Sequence, residues 1–166
     1  MFWWSKSWRR RRILAQAFPS EWLQILTSNV RYYQLLTSSE QTLLQQNVQI
    51  LVAEKNWEGC GGLTLTDEIK VTIAGQAALL LLGIEHDYFA RALSILVYPS
   101  GFRPPSEEDD ILEESILLGE SWYRGPVILS WEQVKFDGEE HRDGYNVVLH
   151  EFAHQSIFRS ADANNR

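Results

Sequence analysis

The chain has a single cysteine, Cys60, so no intrachain disulfide framework can hold it together. That scarcity fits a reducing compartment. Long hydrophobic runs are also missing. The longest, Ala77 to Leu82 with Ile84 beyond Gly83, falls far short of the ~20 apolar residues that cross a bilayer. No secretory leader is expected either: the apolar stretch after the first basic cluster, Ile13 to Phe18, is short and interrupted by Gln16. There is no internal repeat and no low-complexity linker. Together these absences predict a soluble cytoplasmic protein.

An excess of positive charge is lacking too. Fifteen Lys and Arg face 22 Asp and Glu, a net charge of −7, which excludes broad nucleic-acid binding by the whole surface. The charge is uneven. Lys6 and Arg9 to Arg12 make the start basic, and Glu107, Glu108, Asp109, Asp110, Glu113, Glu114 and Glu120 gather acid later. Trp3, Trp4 and Trp8 stand among the early cations. A solvated N-terminal tail over residues 1–18 is the expectation there, with contact to anionic lipid the lesser reading. The acidic stretch reads as a solvated face rather than a filter for substrate charge.

What remains is an ordinary globular composition. Hydrophobic residues make up 45% of the 166, charged residues 22% and aromatics 12%, enough for one domain with a real core. The first half reads helical. A helix is predicted over Pro19 to Val30. Thr37 and Glu40 form a capping-box pattern that opens another, reaching about Lys55. Gly59 to Gly62 break the chain, and Leu63 and Leu65 are candidates for a short strand. Thr66 or Asp67 caps a third helix, buried nearly all round, that ends at Gly83. The second half turns to short strands. Ser94 to Tyr98 and Val127 to Trp131 read as β, the latter followed by an acidic turn and a polar loop from Asp137 to Gly144. Ile111 to Leu118 fits strand or helix. From Tyr145 the pattern becomes helical again. Helices, then strands, then one more helix is an α+β order.

The strongest chemical signal lies on that last helix, in Val147-Val148-Leu149-His150-Glu151-Phe152-Ala153-His154. Residues four apart share a helix face, so His150 and His154 can offer two imidazoles to one metal ion. Zinc accepts neutral imidazole nitrogen and favours four-coordination. Glu151, beside the first histidine, is placed to hold the attacking water, act as general base and hand the proton to the leaving amine. The opposing reading is two histidines merely solvated on a helix. Chance alone gives this pattern in a chain of this length less than ~1% of the time.

Other candidates are weaker. His86 reads as structural or surface, His141 as solvated in a charged loop, and Cys60 as an inert thiol with no base named beside it. Val127 to Leu129 could instead be an edge strand that pairs with an extended substrate.

A longer set of segments resembles the MtfA (Mlc titration factor A) family of zinc-dependent peptidases. The segments are Arg9 to Arg12 before Leu14-Ala15-Gln16, Phe18-Pro19 with Trp22, Glu54-Lys55 with Trp57 to Gly62, and Thr66-Asp67-Glu68 with Val71 to Ala74. They continue through Leu79 to Gly83, His86-Asp87-Tyr88, Leu96 to Ser100, Gly119 to Trp122, Gly125-Pro126-Val127 and Leu129 to Trp131. They close with Asn146 to Gln155. The resemblance implies a zincin-like fold, a single Zn2+, and peptidase activity of an aminopeptidase-like kind on peptide or protein substrates. It also implies a transcriptional repressor as a partner of some members.

After Gln155 the match to the family pattern ends, where the family supplies a glutamate as third zinc ligand. The expectation is therefore a single, incomplete zincin-like domain over residues 1–166, with its C-terminal part missing and a divergent tail over 156–166. Asp162 is the one acidic residue after the motif, and it is a poor substitute ligand. With two ligands in hand, the alternative to a peptidase is a non-catalytic protein that binds a transcriptional regulator.

Overall fold

The computed structural model describes residues 2–100, 125–139 and 145–163, with the side chains of 2–4 and 156–163 excepted. The acidic stretch over 107–120, the undecided segment Ile111 to Leu118, and His141 lie outside these residues, as does the side chain of Asp162.

Helix α1 spans Phe2–Leu14 and α2 spans Ser20–Asn29, followed by a 3-10 turn at Arg31–Leu35. The first of these replaces the expected solvated tail. Its docking contact is a bidentate pair in which the Arg10 guanidinium donates to both Glu54 oxygens at 2.7 and 2.8 Å. Helix α3, Ser38–Glu54, opens on the predicted capping box. The Thr37 hydroxyl accepts from the Glu40 amide while the Glu40 carboxylate accepts from the Thr37 amide at 3.1 Å, so two otherwise orphaned donors are satisfied.

Strand β1 is Asn56–Gly59, just before the segment where Leu63 and Leu65 had suggested one. Those two leucines instead lie partly buried against the core. Gly59 is required here: a Cβ would run into the Leu63 carbonyl oxygen as the chain folds back. Helix α4, Asp67–Leu79, is capped by Thr66 and buried along most of its length. It ends at Leu79, short of the expected Gly83; residues 80–82 continue as turns, and Gly83 follows at φ +74, a left-handed conformation that suits glycine.

Strand β2, Ser94–Tyr98, lies between β1 and β3, Val127–Ser130, and both pairings are parallel. Asn56 sits opposite Ser94, and Ile95 opposite Val127. Parallel neighbours need crossovers, and α4 lies in the one between β1 and β2. Ile95, Val97, Val127 and Leu129 point into the core. Helix α5, Trp131–Glu139, starts directly after β3, where an acidic turn was expected. Helix α6, Val147–Ala163, carries the histidine motif. Among the described residues the architecture is a mix of helices with one small sheet around a single hydrophobic cluster. Among the described residues no helix is long and apolar enough to cross a membrane.

Candidate metal centre

Helix α6 divides its duties between two faces. Val148 and Phe152, four apart, are fully buried, and the Phe152 ring meets Phe89 edge-on with centroids 4.8 Å apart. His150 and His154 share an exposed face, while Glu151 is partly buried. The two imidazoles converge. Their Nε2 atoms are 3.1 Å apart and their rings stand at 86°. Tyr145 lies beside the first of them, with its ring centroid 5.6 Å from that of His150.

The start of α6 is fixed by polar side chains from three elements. The Asn146 Oδ1 accepts from the Leu149 amide at 3.0 Å, an N-cap interaction. The Asn146 Nδ2 donates to Gln76 Oε1 of α4 at 2.9 Å, and Gln76 Nε2 donates to the Val134 carbonyl of α5 at 3.3 Å. Asp137 of α5 accepts from the Val147 amide at 2.8 Å and from Gln133 Nε2 at 2.6 Å. Gln76, Asn146 and Asp137 are all buried, so these bonds form where unsatisfied groups would be costly. Gly138 lets α5 approach: a Cβ there would strike the Asn29 carbonyl and the Gln76 amide. The expected polar loop from Asp137 therefore begins as a buried anchor. Asn146 carried a legible signal as a cap residue just before an apolar helix; Asp137 and Gln76 carried none.

Two neutral imidazoles bound to one tetrahedral ion at ~2.0–2.1 Å hold their nitrogens roughly 3.3 Å apart. The His150–His154 separation, which is also that of a ring-to-ring hydrogen bond, is close to that value, so the two imidazoles are compatible with sharing one ion. Among the described residues no third His, Cys, Asp or Glu completes the set. His86 is engaged elsewhere: its Nδ1 accepts from the Tyr88 amide at 3.2 Å, and its ring packs edge-on to Tyr88 at 4.6 Å.

Residues 5–164 match the family described as glucose-regulated metallo-peptidase M90. The match runs past Gln155, where the family pattern was expected to end. An uncharacterized protein of Synechocystis is 35% identical over 154 residues, covering 89% of this chain and 56% of that protein. Mlc titration factor A of Klebsiella pneumoniae is 32% identical over 134 residues, covering 76% of this chain and 49% of the relative. Mlc titration factor A of Yersinia pestis is 27% identical over 165 residues, covering 95% and 58%. The chain thus spans about half the length of the relatives it matches. A motif helix with paired imidazoles, inside a match of nearly the whole chain, makes this a member of the Mlc titration factor A family of M90 metallopeptidases.

Proposed function

We propose that the chain is the metal-binding part of a zinc-dependent, aminopeptidase-like peptidase, in which His150 and His154 hold Zn2+ and Glu151 is the general base. The observation that carries this reading is the convergence of the two Nε2 atoms at 3.1 Å on one exposed helix face. A zinc ion held by His150 and His154 would supply a lowered pKa for water and polarisation of a peptide carbonyl. Glu151 takes the proton from the attacking water and delivers it to the departing amine. The polar clamp of Asn146, Gln76 and Asp137 fixes the helix, so the imidazoles need not reorganise to bind. Strand β3 packs beside α6, and its outer edge has no strand partner among the described residues. An extended peptide added there would receive main-chain hydrogen bonds. Catalytic zinc takes three protein ligands, and the described residues supply two.

The test is peptide hydrolysis by the whole protein. Glu151→Gln should remove activity at least a hundredfold while zinc stays bound, and chelation should do the same reversibly. Equal hydrolysis after both treatments would refute the peptidase reading. The second reading is a non-catalytic binder of a transcriptional regulator. The name titration factor carried by relatives supports it. Capture of a repressor that survives His150→Ala and His154→Ala, in a protein without hydrolytic activity, would select it.

A further inference from the structure

Three of the segments that carry the family resemblance play no part in the metal centre: Arg9 to Arg12, Glu54-Lys55 and His86-Asp87-Tyr88. The fold brings all three to one place. From them, Arg9, Arg10, Glu54, Lys55, Asp87 and Tyr88 line a cleft of about 300 Å³ between α1, the end of α3 and the loop before β2. That is the low end of small-molecule sites. Lys6, Arg9, Arg10 and Lys55 face it, against two carboxylates, Glu54 and Asp87. In a chain of net charge −7 this is a local excess of cations.

The cations are held in different ways. Arg10 is committed to Glu54, and its guanidinium lies 4.4 Å from the centroid of the Tyr88 ring. Hydrogen bonding to Glu54 raises the Arg10 pKa above its ordinary value. Burial pushes the Glu54 carboxyl up, but Arg10, together with Lys6 and Lys55, more than offsets this and leaves it below its usual range. Lys55 is only 9% exposed, and its Nζ donates to the Phe89 carbonyl at 2.7 Å, one of the three donors an ammonium carries. Burial lowers its pKa to about 8. An ammonium kept in so unfavourable a place gains from any anion that enters. Lys6 and Arg9 are exposed at the mouth.

The loop that completes the cleft is strained. Tyr88 and Phe89 have φ of 58° and 53°, two successive non-glycine residues in the left-handed region. Such backbone is strained for residues with a Cβ, and strain of this kind gathers at functional sites. Here it presents the Phe89 carbonyl to Lys55 and the Tyr88 ring to Arg10.

We infer that this cleft is a binding site, separate from the metal centre, for a small phosphate monoester, its dianion held by Lys6, Arg9 and Lys55 and its organic part set against Leu93. Guanidinium and ammonium groups suit phosphate oxygens, and Leu93 supplies an exposed apolar wall. A phospholipid headgroup shares the same chemistry.

The test is calorimetric titration of the full chain at low salt with glycerol phosphate, alongside co-sedimentation with vesicles containing phosphatidic acid. The site predicts saturable one-to-one binding of glycerol phosphate that weakens at least tenfold in Lys6→Glu/Arg9→Glu. Both residues are exposed, so circular dichroism and melting temperature should hold. Should that variant unfold, Lys6→Gln/Arg9→Gln gives the same reading with a gentler charge change. Vesicle binding with the same dependence on Lys6 and Arg9, without binding of the free ester, assigns the site to a lipid headgroup. No binding of either probe, or binding indifferent to both double variants, overturns the inference. His150→Ala should leave it unchanged, which separates this site from the metal reading.

Discussion

Helix α6 and the cleft beside α1 are two concentrations of titratable side chains, and they are held in opposite ways. In the cleft the charged groups are themselves the fasteners: Arg10 clasps Glu54, and Lys55 is tied to the Phe89 carbonyl. On α6 the residues that anchor and the residues suited to chemistry are different ones. Val148, Phe152 and the Asn146 clamp hold the helix, while His150 and His154 meet each other on its exposed side, with the Tyr145 ring beside the first. The lesson is that substitutions on α6 should separate stability from metal binding, whereas substitutions deep in the cleft should mix the two.

The largest effect is expected at the buried face of α6. Phe152→Ala deletes a fully buried ring packed on Phe89, and should cost about 3–5 kcal/mol in denaturant unfolding. A loss below about 1 kcal/mol would mean that α6 is not anchored there. Asn146→Ala comes next. It removes the α6 cap, worth about 0.5–2 kcal/mol, and orphans the buried Gln76 carbonyl oxygen. Asn146→Asp keeps the cap but not the donor to Gln76, so it should recover only part of the loss.

In the cleft the expected signature is a pH dependence. Lys55 has a pKa of about 8 folded, lowered by burial from 10.5. Between those values the unfolded chain binds the extra proton, so stability should rise with pH across this window. Below about pH 8 both states are protonated and the penalty is constant. Comparing unfolding of the parent with Lys55→Met from pH 7.5 to 10 isolates this contribution, because the variant should lack that rise. A parallel pair of profiles would contradict the buried, depressed amine. The smallest effect is expected for His150→Ala, an exposed position: in the absence of metal, stability should change by no more than about 0.5 kcal/mol.

The same division explains what could be read from the sequence. Features set by local chemistry were legible. The Thr37–Glu40 capping box, the strand Ser94–Tyr98 and the His150/His154 spacing each depend on residues within a turn or two of one another. Features set by distant contacts were not. The Asn56–Gly59 segment has no β-branched residue and becomes a strand because β2 lies beside it. Helix α1 looked like a tail because its anchor, Glu54, lies 44 residues away. Asp137 looked like loop because its partner, the Val147 amide, belongs to the next helix. Of the candidate site, the shared helix face of His150 and His154 was readable from spacing, but the clamp that aims that helix joins α4, α5 and α6 and has no local pattern.

The most direct measurement is zinc per chain by elemental analysis of the purified protein, with His150→Ala beside it. The account predicts about one zinc per chain in the parent, lost in a variant that remains folded. A folded parent without zinc, or a variant that retains it, would contradict the assignment of His150 and His154 as the metal-holding pair.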